Sequence, residues 1–166
     1  MNYIGERIIA TYSSSRYIIN IMKINILSGY FNPLHGGHLD MIEATRPLGD
    51  HMIVIVNNDV QQIQKKGKII LDQDNRMRLM SSLRDVDEVI LSIDQDPSQI
   101  KTLGMIADKY PNDELFFVND GDKDSVKEIP EGEVCAARNI TMLFNVSGKG
   151  KADSSTRINQ ALGHAK

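Results

Sequence analysis

Lys23-Ile24-Asn25-Ile26-Leu27-Ser28-Gly29, continuing into Tyr30-Phe31-Asn32-Pro33-Leu34-His35-Gly36-Gly37-His38, is the stretch whose reading decides the fold. Ile24, Ile26 and Leu27 suit a buried strand, and Gly29 ends it in a tight turn. Beyond the turn Gly36 and Gly37 lack a Cβ, so a phosphate could approach the main chain closely. A helix beginning near His38 would turn unpaired N–H groups toward it, which makes an anion site. His35 and His38, three apart on a starting helical turn, lie on neighbouring faces and can reach one small group. Two imidazoles there could donate hydrogen bonds to charge growing on a phosphorus-bound oxygen. A His-x-Gly-His tetrapeptide arises by chance in about one chain of this length in a few hundred. Metal ligation is a competing reading, but that spacing usually comes with a third ligand, and His51 and His164 are the other histidines. A glycine-rich structural turn with incidental histidines is the other alternative.

Working outward, strand and helix patterns alternate. Leu39 to Leu48 reads as a short helix closed by Gly49, with Pro47 bending or ending its last turn. His51-Met52-Ile53-Val54-Ile55-Val56-Asn57 is a continuous apolar run, as expected of a parallel strand covered on both faces. Asn58-Asp59 then leave the sheet. Asp74 is placed to cap a helix through Leu83, and Asp87 to Ile93 reads as the next strand. Asp96-Pro97-Ser98-Gln99 predicts a capped helix to about Tyr110. Glu114 to Asn119 and Ile140 to Phe144 make two more strands around a short helix at Glu133 to Arg138, and Ser154 to Leu162 closes the chain as a helix. This spacing predicts an α/β fold, a doubly wound parallel sheet of about five strands. In such sheets ligands gather beyond the carboxyl ends of the strands where strand order reverses. The histidine turn follows the first strand, Asn58-Asp59 the second, Asn119-Asp120-Gly121-Asp122 the fourth, and Lys149 to Arg157 the fifth, so all converge on one crevice.

Composition bounds the class of protein. The 166 residues are enough for one domain with a core, and 41% hydrophobic with 25% charged is a globular balance. A net charge of −3 without a long basic run gives no support to nucleic acid as partner, while a small polyanion needs only a few local cations. No apolar stretch approaches the roughly 20 residues of a membrane span. The single cysteine, Cys135, fits a reducing cytoplasmic location. Residues 1–21, with Ile8-Ile9 and Ile18-Ile19 around Ser13-Ser14-Ser15, lack signal-peptide architecture. The domain is expected to span residues 22–166, with 1–21 an N-terminal extension that is accessory, disordered or not native.

His35-Gly36-Gly37-His38 and Ser154-Ser155-Thr156-Arg157 together resemble the two signature motifs of the HxGH nucleotidyltransferase superfamily. Between them, Leu48-Gly49-Asp50, Val56-Asn57-Asn58-Asp59, Lys65-Lys66-Gly67, Asn75-Arg76 and Val86-Asp87-Glu88-Val89 are similar to the cytidylyltransferase-like branch. That branch includes glycerol-3-phosphate cytidylyltransferases and heptose-phosphate nucleotidyltransferases. The resemblance covers about residues 23 to 160 and implies a Rossmann-like nucleotidyltransferase fold. It also implies a reaction: a phosphate oxygen of a small phosphorylated polyol, sugar or aminoalcohol attacks the α-phosphorus of CTP, and pyrophosphate leaves. A phosphate nucleophile is already anionic, so catalysis reduces to alignment and charge neutralisation, with Mg²⁺ carried mainly by the triphosphate and no protein metal site.

The residue roles follow from the same resemblance. His35 and His38 stabilise the transition state, and Lys66, or Lys65 in a shifted register, reaches the phosphates from a mobile loop; a solvated lysine cluster is the alternative. Ser154, Ser155, Thr156 and Arg157 hold the β and γ phosphates at the last helix's N-terminus, where a plain helix cap is the alternative. Tyr30, Phe31, Asn32, Gly37 and Asp122 are expected to bind nucleotide, with Asp122 near the base or a simple turn carboxylate. Asp59 and Arg76 are expected at the substrate, Arg76 otherwise lying on a helix surface. Asn32 stands where the cytidylyltransferases usually carry Asp, and Phe31-Asn32-Pro33 is also similar to mononucleotide adenylyltransferases, so ATP is the alternative to CTP. A non-catalytic nucleotide-binding module is the third reading. A homodimer is expected by analogy with the family.

Overall fold

The computed structural model describes residues 9–12, 15–18, 20–119, 129–148 and 155–163. In the leader, β1 (Ile9–Tyr12) pairs antiparallel with β2 (Ser15–Ile18) and with no strand of the main sheet. The main sheet contains β3 (Lys23–Gly29), β4 (His51–Val56), β5 (Glu88–Leu91), β6 (Glu114–Asn119) and β7 (Ile140–Phe144). All five are parallel, in the order β5-β4-β3-β6-β7, so strand order reverses between β3 and β6. The β3–β4 ladder runs to Gly29–Val56 whereas the β3–β6 ladder ends at Leu27–Val118. The sheet therefore opens at its carboxyl edge at the reversal, where α/β folds of this kind bind ligands.

Helices cover both faces. They are α1 (Gly36–Thr45), α2 (Asp59–Lys66), α3 (Gln73–Ser81), α4 (Ile100–Lys109), α5 (Gly132–Ala137) and α6 (Ser155–Ala161). Successive strand residues point to opposite faces. Accordingly Ile24, Ile26, Ile53 and Ile55 pack with Leu103 and Ile106 of α4 and Cys135 of α5. Leu27, Met52, Val54 and Val56 pack with Ile42 of α1 and Met80 of α3. That two-sided burial explains why β4 is apolar from Met52 to Val56 rather than alternating. No helix among the described residues is long and apolar enough to cross a membrane.

Several boundaries differ from the sequence expectation. Helix α1 starts at Gly36, two residues before His38, and ends at Thr45, because Pro47 sits in a separate 3₁₀ turn, Arg46–Leu48. The cap of α3 is Asp72, whose carboxylate accepts from Asn75 N–H at 2.8 Å; Asp74 lies inside the first turn. Asp96 closes a local turn by accepting from Ser98 N–H, and α4 begins four residues later, where Asp94 accepts from the N–H groups of Lys101 and Thr102. Strand β5 ends at Leu91.

Helix α2 has no counterpart in the sequence reading, which placed Lys66 on a mobile loop. Lys65 and Lys66 form its last turn, closed by Gly67 in the left-handed conformation (φ 74°). Its polarity is inverted: Val60 and Ile63 are exposed, while Gln61 and Gln62 are buried. Gln61 accepts from Asn57 Nδ2 and Asn58 N–H and donates to the carbonyls of Asp96 and Ser98. An amide-docked helix has no apolar stripe for periodicity to find.

Candidate active site

The turn after β3 is held from beneath. Phe31, in the left-handed region (φ 48°), is 1% exposed and belongs to the core with Leu27 and Ile42. Its ring meets His38 edge-on, with centroids 4.9 Å apart. The side chain of Phe31, a residue expected to contact nucleotide, is buried and supports His38. A Cβ on Gly29 would come within 2.8 Å of that ring, so the strand end must be glycine for Phe31 to seat. The peptide between Asn32 and Pro33 is cis. Asn32 is buried as well; its Oδ1 accepts from Leu71 N–H at 2.9 Å, and its carbonyl accepts from Asn159 Nδ2 of α6 at 3.3 Å.

His35 caps α1 and His38 is its third residue, so the two rings stack with centroids 3.8 Å apart. His38 Nδ1 accepts from His35 N–H at 3.3 Å, which puts the neutral imidazole's proton on Nε2. Burial, helped by the neighbouring His35 charge, lowers the His38 pKa to about 4. The ring is neutral at pH 7, and its Nε2–H is a hydrogen-bond donor. The first turn of α1 carries no acidic residue to occupy its N–H groups. A Cβ built on Gly36 meets nothing within 4 Å, leaving open space where a phosphate would approach.

The second wall belongs to α2 and α3. Arg76 is completely buried, and its guanidinium makes four hydrogen bonds: Nε to Leu71 O, Nη1 to Tyr30 O and Asn57 O, and Nη2 to Asp59 Oδ1 at 2.6 Å. It thus ties together the turn after β3, the loop after β4 and the entry to α3. Arg76 was expected either to contact substrate or phosphate or to lie on a helix surface. The structure corrects the helix-surface reading: the side chain is buried, four of its five N–H donors meet protein acceptors, and it holds Tyr30 and Asp59 in place. Asp59 starts α2 with its side chain 25% exposed. Lys65 Nζ lies 5.5 Å from the centroid of the Tyr30 ring, which sets the end of α2 beside the turn. Lys66, half-buried, follows it.

Helix α6 begins at Ser155, carries Thr156 and an exposed Arg157, and reaches the histidine turn through Asn159. Asn159 was missed from sequence; a buried amide one turn beyond a Ser-Ser-Thr motif leaves no distinctive pattern. Gly37 stands in the first turn of α1. Asp122 and Ser154 lie outside the described residues. Among the described residues no group of three or more His, Cys, Asp and Glu side chains is arranged to hold a metal.

A family model described as cytidylyltransferase-like matches residues 26–161. Over 75 residues the chain is 35% identical to an FAD synthase of Ferroglobus placidus, covering 45% of this chain and 49% of that protein. Over 69 residues it is 36% identical to glycerol-3-phosphate cytidylyltransferase of Bacillus subtilis, covering 42% of this chain and 54% of the relative. The match therefore spans about half the length of these relatives. A crystal structure of a lipopolysaccharide core biosynthesis protein from Thermoplasma volcanium superposes with a TM-score of 0.59 at 25% identity, covering 80% of this chain and 99% of that one. The matched span takes in the histidine turn, the Arg76 clamp and α6, and the chain belongs to the cytidylyltransferase-like family.

Proposed function

We propose that the protein transfers a nucleoside monophosphate, CMP from CTP, to the phosphate of a small phosphorylated substrate. An acceptor phosphate oxygen forms a bond to the α-phosphorus, the α–β bridging P–O bond breaks, and pyrophosphate leaves with the electron pair. The observation that carries this reading is the stacked His35–His38 pair at the N-terminus of α1, beside the reversal in strand order. A neutral imidazole with its proton on Nε2 donates to a phosphoryl oxygen without giving up a proton, and the α1 N–H groups receive the same charge. Lys66, and Ser154 to Arg157 at the start of α6, are the groups proposed for the β and γ phosphates, with Asp122 near the base. Mg²⁺ is proposed to enter on the triphosphate, whose charge it partly neutralises when bound. The donor set fits this: neutral imidazole and backbone N–H groups address phosphate oxygens rather than compete for them. The cytoplasm, where nucleoside triphosphates are held, is the proposed location.

ATP is the second reading, favoured by Asn32 in place of the usual Asp. Pyrophosphate release across CTP, ATP, GTP and UTP with a panel of acceptor phosphates tests the assignment. Turnover with CTP is expected, and turnover with ATP alone would reassign the nucleotide. Binding of either nucleotide without pyrophosphate release from any acceptor would make the chain a non-catalytic binding module.

A further inference from the structure

Helix α6 and the histidine turn meet at two buried amides whose hydrogen bonding is half complete. Asn32 is 2% exposed and Asn159 is 7% exposed. The bonds each one makes fix which way its amide points. Asn32 Oδ1 accepts from Leu71 N–H at 2.9 Å, so Nδ2 is the other end of that side chain. Asn159 Nδ2 donates to the Asn32 carbonyl at 3.3 Å, so Oδ1 is what remains there. Among the described residues, Asn32 Nδ2 and Asn159 Oδ1 are both buried without a hydrogen-bond partner. One is a donor and the other an acceptor, on residues already in contact. Leaving either unpaired is costly, and bonding the two to each other removes both costs.

We infer that Asn32 and Asn159 are a positioning pair that locks α6 onto the histidine turn, their spare amide groups bonding to each other as a triphosphate draws the helix in. The inference rests on the phosphate-binding part of the reading above, in which Ser155, Thr156 and Arg157 of α6 meet the β and γ phosphates. Their contacts set the position of the helix, and the two asparagines hold it there. The 3.3 Å contact is at the long end of the N–H···O range, so the helix has room to close. Asn32 itself is anchored from its other side, because Leu71 holds its Oδ1 and Arg76 Nε holds the Leu71 carbonyl. The turn is thus the fixed partner and α6 the element that moves. An aspartate at position 32 would keep the bond from Leu71 but set a second oxygen against Asn159 Oδ1, acceptor to acceptor. Asparagine at 32 is matched to asparagine at 159.

The test is a double-mutant cycle on Asn32→Asp and Asn159→Ala. It is read by calorimetric titration with CTP and with ATP, each with Mg²⁺, and by the acceptor KM in pyrophosphate release. Each single variant is expected to weaken triphosphate binding about tenfold, with the acceptor KM unchanged within about twofold. In the Asn159→Ala background, Asn32→Asp should change triphosphate binding by no more than about twofold, because its partner is already gone. Equal weakening by Asn32→Asp in both backgrounds would trace the effect to the added negative charge alone and overturn the lock. An acceptor KM that rises in step with the triphosphate Kd would also overturn it, since a generally loosened turn moves both. Should Asn32→Asp melt below the assay temperature, Asn159→Ala decides alone: unchanged triphosphate binding in folded protein overturns the inference. Binding that follows the cycle without pyrophosphate release from any acceptor removes the transfer reading and leaves the lock standing. Wild-type protein that binds neither triphosphate removes both.

Discussion

Two arginine–aspartate pairs lie at opposite ends of the same sheet and differ little in length. Arg46–Asp87, at the amino ends of β4 and β5, is 2.7 Å long, with both side chains about one-third exposed. Arg76–Asp59, at the carboxyl end, is 2.6 Å long, with the arginine fully buried. Burial, not distance, separates them. Water screens the first pair and would solvate either partner alone, whereas removing one partner of the second strands a charge in the interior. The same division holds for the surroundings. Asp87 belongs to a solvent-facing group with His51, and Glu88 beside it binds Lys109 and Tyr110. Arg76 instead spends its other donors on three main-chain carbonyls of the site loops. One end of the sheet is held by replaceable surface pairs, the other by a buried clamp that also shapes the site.

The largest effect expected from this contrast is at Arg76. Arg76→Ala should cost about 3–5 kcal/mol in denaturant unfolding. Arg76→Lys should not restore the site, because a point charge cannot serve four acceptors in fixed directions. Near-wild-type stability in Arg76→Ala would erase the distinction between the two ends. The glycines sharpen it. A Cβ at Gly49, near the amino edge, would lie 2.6 Å from Lys23 O and 2.7 Å from Asn25 Nδ2, so Gly49→Ala should lose about 1–3 kcal/mol. Gly36→Ala, with nothing within 4 Å, should melt like wild type yet raise the KM for nucleotide, about tenfold by loss of close phosphate approach.

The next effect is read against pH. His38 has its folded pKa lowered from 6.5 to about 4, so the unfolded chain takes up its proton first. The contribution is fully present above pH 6.5 and is lost as pH falls toward 4. Unfolding free energies measured through that window should decline less steeply in His38→Asn than in wild type. Parallel declines would show that His38 carries no such shift. The smallest effect is expected at Arg46, where Arg46→Ala should cost no more than about 1 kcal/mol, since Asp87 keeps its 2.8 Å bond from Met52 N–H.

The sheet and the histidine turn were legible because they are written in apolar runs and in glycine and histidine spacing. All five strands of the main sheet and the order of the site motifs follow from Ile24 to Gly29, Met52 to Val56 and their successors. What stayed hidden was polar packing. Helix α2 docks through Gln61 and Gln62 while exposing Val60 and Ile63, the reverse of an amphipathic pattern. Arg76 has the sequence context of a helix-surface or ligand-binding arginine, and only the convergence of Tyr30, Asn57 and Leu71 carbonyls on one point makes it a clamp. The caps slipped for a related reason: Asp72, Asp74, Asp94 and Asp96 are equally good caps by type, and long-range packing decides which carboxylate meets a free N–H.

Phosphorus NMR of the products tests the central claim most directly. With CTP, Mg²⁺ and a polyol phosphate, wild-type protein should yield pyrophosphate and a new diphosphate linkage between nucleotide and acceptor in equal amounts. His38→Ala should fold normally and form both about 10²–10³-fold more slowly. Inorganic phosphate instead of pyrophosphate, or equal rates in His38→Ala and wild type, would contradict the account.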